Sequence, residues 1–415
     1  MVISEDPTQR LRQWTIDIYP TYVRDKVVKH LKEAKAKGIL DLAGFRLKLK
    51  LHEAMEKCPL VKCWNPYVYG LNIGLFFPLS TFKLPKLDAL AVTCHNEDQH
   101  DNNYVSRDRK SMTDILQAWL PKLNRLQIKY LYFKLPDLPA LTAPRPQLQT
   151  LVLLHNEYIG NVTPVLNLCQ NITKLEVRHW NSTHFVATGE AFNLELPALK
   201  HLTINNNYDG FRFLRDNATR LESLMIKESD INEALADPIL LILNQMDMPV
   251  LKTFICLDHN LGAVVLHVVR ASVNSLERLV YCGRSNNNTG LFHPRKLKQF
   301  VFSLKHLEPK WRQRNMALIS EYNNPCLEQV AFYDVTDDYP VTAFKHMGYW
   351  LKKVLGNLKE IGLFVDETDA YTDLGRMSEN GARLKDVYQD AAVRVGKGSF
   401  LATAKQVAIT YCNGF

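Results

Sequence analysis

Leu199-Lys200-His201-Leu202-Thr203-Ile204 is followed a short interval later by Leu221-Glu222-Ser223-Leu224-Met225-Ile226. Each stretch spells an apolar residue, two variable residues, a second apolar residue, one variable residue and a third apolar residue. The same spelling occurs eleven times between Leu87 and Leu363. Other clear copies are Leu123, Leu126 and Ile128; Leu148, Leu151 and Leu153; and Leu276, Leu279 and Tyr281. Drifted copies are Leu87, Leu90 and Val92; Ile172, Leu175 and Val177; Leu251, Phe254 and Cys256; Leu297, Phe300 and Phe302; Leu327, Val330 and Phe332; and Leu358, Ile361 and Leu363. The last two apolar positions of a copy, one residue apart, fall on one side of an extended strand, and their neighbours fall on the other. One such strand cannot bury its own apolar side, but stacked copies form a continuous spine. Pro85, Pro121, Pro197 and Pro249 stand just ahead of their copies, where a fixed φ halts the preceding helix or turn before the strand begins. The expectation is stacked β-α units, with Leu126, Leu151, Leu202 and Leu224 all in the spine of neighbouring parallel strands.

This spacing resembles that of leucine-rich repeat proteins. The resemblance implies an α/β solenoid, curved, with parallel strands on its concave face and a helical N-terminal cap. Asn156 and Asn207 stand where such proteins often place an asparagine after the strand, while Asn96, Asn181 and Asn260 come one residue late, so the array is irregular. Three regions follow: a helical N-terminal segment over 1–80, the repeat array over 81–365, and a C-terminal repeat or cap over 366–415. In the first, Val23, Val27, Val28, Leu31 and Ala34 recur at helical steps and Gly38 is the stop. A second amphipathic stretch runs from Leu40 to Met55, although its alternation from Phe45 to Leu51 suits a strand equally. In the last region, Ala382 to Val395 carries helical spacing, and Phe400 to Tyr411 is expected to add a strand through Val407 and Ile409.

Composition agrees with a folded chain: 415 residues, 46% hydrophobic and 23% charged. There is no apolar run of about eighteen residues to span a membrane, and Met1 to Pro7 lacks the pattern of a secretory signal. A cytoplasmic or nuclear location is expected. The eight cysteines are scattered and read as reduced thiols; the Cys58–Cys63 spacing does not suit a metal knuckle. The glycosylation sequons at Asn161, Asn171, Asn181, Asn217 and Asn287 then read as chance matches. The net charge of +8 is spread without a basic block, which argues against nucleic acid as the partner.

The residues flanking the inward positions should line the open face. They include Arg125, Gln127 and Lys129; Lys174, Glu176 and Arg178; His201 and Asn205; Lys227; Arg278; and Tyr333. The early strands are net basic, and the later ones are mainly apolar through Ile255, Leu257, Val280, Val301, Tyr333 and Phe364. Such a wall suits a protein target with an acidic segment. No catalytic, cofactor or metal motif appears. Gly396-Lys397-Gly398-Ser399 has the closing letters of a phosphate loop but no glycine at the required distance upstream, and His95 to Asp101 reads as a polar loop. The chain is expected to be non-enzymatic.

Ahead of the array, Tyr19-Pro20-Thr21-Tyr22-Val23-Arg24-Asp25-Lys26-Val27-Val28-Lys29-His30-Leu31 resembles the opening of an F-box. Pro20, Val23, Val27, Val28 and Leu31 fit; Tyr22 and Arg24 depart from the pattern, and Trp64 comes too late for its tryptophan. The resemblance to F-box and leucine-rich-repeat proteins implies the substrate-recognition subunit of a cullin-type ubiquitin ligase, with those five residues docking the ligase adaptor. The alternative is a ligase-independent scaffold or inhibitor, in which the same segment merely caps the first repeat.

Overall fold

The computed structural model describes residues 39–42, 63–69, 89–95, 123–129, 147–154, 166, 169–177, 195–205, 208–227, 242–244, 246–259, 261–282, 294–303, 326–334, 358–365, 382 and 392–409. Within them the chain is α/β: parallel strands dominate and helices are few. It divides into two compact units, residues 1–199 and 200–415.

The first unit contains β1 (Ile39–Leu42), β2 (Cys63–Tyr69), β3 (Ala89–His95), β4 (Arg125–Lys129), β5 (Thr150–Leu154) and β6 (Lys174–Val177). Each pairs in parallel with the next strand in the chain. The register aligns Leu90, Leu126, Leu151 and Leu175 in one row, and Val92, Ile128, Leu153 and Val177 in another. These are the second and third apolar positions of four successive copies. Leu123, Leu148 and Ile172, the first positions, are buried just ahead of their strands. The described residues of the segment expected to be helical, 39–42 and 63–69, are strands that extend this sheet. Pro66 explains one irregularity: lacking an N–H, it falls in a two-residue gap of the β2–β3 ladder, which resumes in the same register at Tyr67.

The second unit begins with β7 (His201–Asn205), then α1 (Tyr208–Asn217), a 3₁₀ turn (Ala218–Arg220), β8 (Ser223–Lys227) and β9 (Thr253–Cys256). It continues through α2 (Gly262–Ala271), β10 (Arg278–Cys282), β11 (Gln299–Ser303), β12 (Gln329–Tyr333), β13 (Glu360–Val365), β14 (Ala392–Lys397) and α3 (Phe400–Ile409). All eight strands pair in parallel in chain order. One spine row is Leu202, Leu224, Phe254, Leu279, Phe300, Val330 and Ile361; the other is Ile204, Ile226, Cys256, Tyr281, Phe302, Phe332 and Leu363. Every one of these side chains is buried. Burying each aliphatic or aromatic group contributes about 1.5–3 kcal/mol, so the two rows dominate this unit's stability. Phe211, Phe213 and Leu214 of α1, and Val264, Val265, Val268 and Val269 of α2, are buried with them. Asn217 is also fully buried and donates through Nδ2 to the Phe213 carbonyl at 3.0 Å, so this sequon is closed to modification in the folded chain.

A repeated backbone device locks neighbouring copies together. The carbonyl of the first variable residue accepts two N–H groups from the next copy. Lys200 accepts from Glu222 and Ser223, Glu222 from Lys252 and Thr253, Lys252 from Glu277 and Arg278, and the pattern continues through Glu277, Lys298 and Glu328. Asn124 and Gln149 do the same in the first unit. Side chains at this position alternate in sign along the second unit: Lys200, Glu222, Lys252, Glu277, Lys298, Glu328 and Lys359. Ion pairs join Lys200 to Glu222 at 3.0 Å, Lys252 to Glu222 at 3.6 Å, Lys298 to Glu277 at 3.1 Å and Lys359 to Glu328 at 3.2 Å.

The C-terminal region departs from expectation. Residues 392–395, expected to be helical, are strand, because Val393 and Val395 take the two spine positions beside Ile361 and Leu363. Phe400 to Ile409, expected to be strand, is helix α3. Ser399 starts it, its hydroxyl accepting from the Ala402 N–H at 3.2 Å, as a helix N-cap does. No helix among the described residues is long and apolar enough to cross a membrane.

Candidate functional site

Period two puts the flanking residues of each strand on the face opposite the spine. In the first unit, pairing aligns Ala89, Arg125, Thr150 and Lys174 in one row, Ala91, Gln127, Val152 and Glu176 in a second, and Thr93, Lys129 and Leu154 in a third. Arg125, Lys174 and Glu176 are partly exposed, while Val152 is buried. Strand spacing of about 4.8 Å sets Arg125 and Lys174 roughly 10 Å apart on either side of Thr150. The rows bring one cation of β4 and one cation and one carboxylate of β6 onto the same face, on either side of β5. Gln127 and Lys129 occupy the expected strand positions. Arg178 lies outside the described residues, as do the proposed adaptor-docking residues Pro20, Val23, Val27, Val28 and Leu31.

In the second unit, His201, Lys227 and Arg278 are partly exposed and Asn205 takes its expected place at the end of β7. The rest of this face was expected to be open; α3 covers it. Met225, Ile255, Val280, Val301 and Tyr333 form a buried cluster with Ala404 and Val407 of α3. Leu257, Ala331, Phe364, Phe400 and Ala408 pack around it. An apolar sheet face facing water is unfavourable, and a helix laid on it removes that cost.

Tyr333 is therefore not on an exposed wall: it is 4% exposed, and its hydroxyl shares a 2.5 Å hydrogen bond with that of Thr403. Its ring stacks on Phe364 at 4.8 Å and meets Phe400 edge-on at 5.7 Å. Burial holds the phenol above its ordinary pKa, and the Thr403 hydrogen bond opposes the shift. Two glycines make room for this arrangement. A Cβ on Gly362 would run into the Phe364 ring, and one on Gly398 would stand 3.2 Å from Phe364 and 3.3 Å from Tyr333. Gly396 to Ser399, which carried the letters of a phosphate loop, is the end of β14 and the corner that folds α3 back over the sheet; the Gly398 N–H donates to the Val365 carbonyl at 2.9 Å.

Among the described residues no cluster of histidine, cysteine or carboxylate side chains could hold a metal ion. Cys169, Cys256, Cys282 and Cys326 are not joined in disulfides. Burial pushes the Cys256 thiol far up, so it stays protonated.

The sequence reading missed α3 as an element of the site. The signal was present: Phe400, Ala404, Val407 and Ala408 recur at helical steps after a serine cap. No family model matches the chain, and no curated protein matches it significantly.

Proposed function

We propose that the chain is a leucine-rich repeat solenoid acting as a non-enzymatic protein-binding module, with a target that carries an acidic segment bound on the face opposite the spine. The observation that carries this reading is the unbroken register of β3 to β6, which sets Arg125, Lys174 and Glu176 on one face, with β5 between the first and the other two, and each is partly exposed. Opposed charges across such a surface speed encounter and select partners. The F-box-like passage Tyr19 to Leu31 extends the reading: the partner is the substrate of a cullin-type ubiquitin ligase, and residues 1–60 dock the ligase adaptor. Without that docking the same wall serves a scaffold or an inhibitor.

Partner capture from cell extract tests the wall. Reversing the charge of Arg125, Lys129, Lys174 and Arg178 together is expected to weaken capture at least about tenfold while leaving Tm unchanged; unchanged capture removes the reading. Co-purification with a cullin adaptor, lost on Val27→Asp with Val28→Asp, separates the ligase receptor from the scaffold.

A further inference from the structure

The apolar half of the second unit's sheet face is covered by a segment of the same chain, the single ten-residue helix α3. We infer that α3 is an exchangeable plug, and that the face beneath it, built from Met225, Ile255, Val280, Val301, Tyr333 and Phe364, docks an apolar helix of a partner protein. The inference rests on the protein-binding reading above and adds to it the chemistry of a second contact.

The ligand class is set by α3 itself. It begins beside β12, where Phe400 and Thr403 meet Tyr333, and reaches β9. It therefore crosses the strands rather than pairing with them, as a helix laid in a groove does. Its contacts come from Phe400, Ala404, Val407 and Ala408, spaced four, three and one residues apart along one helix face.

The hold is light for two reasons. Against the large side chains of the sheet, α3 sets two alanines, one valine, a partly exposed Phe400 and a single hydroxyl pair. The strands below keep their pairing when α3 leaves, since their backbone bonds run from strand to strand, and the cost of leaving is the apolar face laid open until a partner covers it. A helix of this length has little stability of its own in water, so undocking and fraying reinforce each other. The outer side of α3 remains partly apolar, with Leu401 48% exposed.

Tethering raises the effective concentration of α3 at the face, so a competitor must fit better than α3 does. The fitting partner is a helix with apolar residues at i, i+4, i+7 and i+8 and a hydroxyl or amide opposite Tyr333. Lys397 to Ser399 then acts as the hinge, with Gly398 carrying no side chain to wedge between the Phe364 and Tyr333 rings.

Hydrogen exchange on the 415-residue chain tests the opening directly. Amides of residues 404–409 are expected to exchange about a hundredfold faster than those of β10 and β11; exchange of α3 in step with these strands overturns the inference. A labelled peptide of residues 399–409 tests the groove, using the 415-residue chain carrying Ala404→Asp with Val407→Asp to expel α3. The peptide is expected to bind this variant at least about tenfold more tightly than the parent chain, and a Val407→Asp peptide is expected not to bind. Equal binding to both proteins overturns the inference, and should the variant fail to fold, exchange in the parent chain decides. Neither measurement involves residues 1–199 or a natural target, so failure here leaves the basic wall of the first unit standing, and failure of capture there leaves the plug standing.

Discussion

Glu222 accepts charge from two sides, from Lys200 at 3.0 Å on one neighbouring copy and Lys252 at 3.6 Å on the other. Each such exposed pair contributes only about 0.2–1 kcal/mol. The alternation matters more for order than for strength, because a copy that skipped its neighbour would set like charges side by side, which is unfavourable between strands. Glu222→Lys would place three lysines in succession and is expected to cost about 1–2 kcal/mol, read as a lower urea midpoint with unchanged slope. Adding Lys200→Glu should recover part of that loss, and high salt should shrink it. The Lys200 hydrogen bond holds the Glu222 carboxyl below its ordinary range, the attraction of both lysines helps, and burial opposes. Its stabilising contribution is thus complete above the ordinary carboxylate pKa and fades as pH falls through the lowered folded value. Thr253 presents the opposite case: it is fully buried, and its hydroxyl has no hydrogen-bond partner among the described residues. Thr253→Val keeps the shape and removes the unmet polar group, so it is expected to raise stability by about 1 kcal/mol, seen as an upward shift in Tm.

At the scale of elements, α3 on β8 to β13 is where one phenol reports on a whole contact. The pKa of Tyr333 is raised in the folded chain, so its contribution is fully present below the ordinary tyrosine value and is lost as pH rises through the folded one. Alkaline titration followed by circular dichroism should therefore show stability declining above about pH 10, and Tyr333→Phe should flatten that decline while costing about 1 kcal/mol at neutral pH for the lost hydroxyl pair. An unchanged alkaline slope in Tyr333→Phe would place the titrating group elsewhere. Gly362→Ala acts on the same contact by another route: the added methyl displaces the Phe364 ring, the ring no longer stacks on Tyr333, and residues 404–409 should lose exchange protection before β11 does.

Across the whole molecule, what the sequence disclosed was whatever repeats. The apolar pairs of the eleven copies all fall on parallel strands, from Leu90 and Val92 of β3 to Ile361 and Leu363 of β13, because a two-residue period with one buried side leaves a strand a single register. What occurs once was harder to read. Ile39 to Leu42 and Cys63 to Tyr69 join the sheet with spellings of their own, and their strand character comes from the neighbour that accepts them. Phe400 to Ile409 carries both an alternating pair and a helical stripe, and the apolar face it covers decides between them. The apolar wall of Ile255, Val280 and Val301 was visible in sequence, but its occupant was not, since a strand list says which side is apolar and not what lies on it. Strands that pair only with their neighbours in the chain make energetics local. Leu151 of β5 and Phe254 of β9 are both buried spine residues, and they belong to different units. Leu151→Ala is expected to cost about 2–5 kcal/mol and Phe254→Ala about 3–5 kcal/mol through the cavity each leaves. With no shared neighbours the two costs should add to within about 0.5 kcal/mol in the double variant. Urea unfolding of the two single variants and the double variant measures this, and a coupling of more than about 1 kcal/mol would show that spine residues in separate units share one cooperative core rather than a chain of nearest-neighbour contacts.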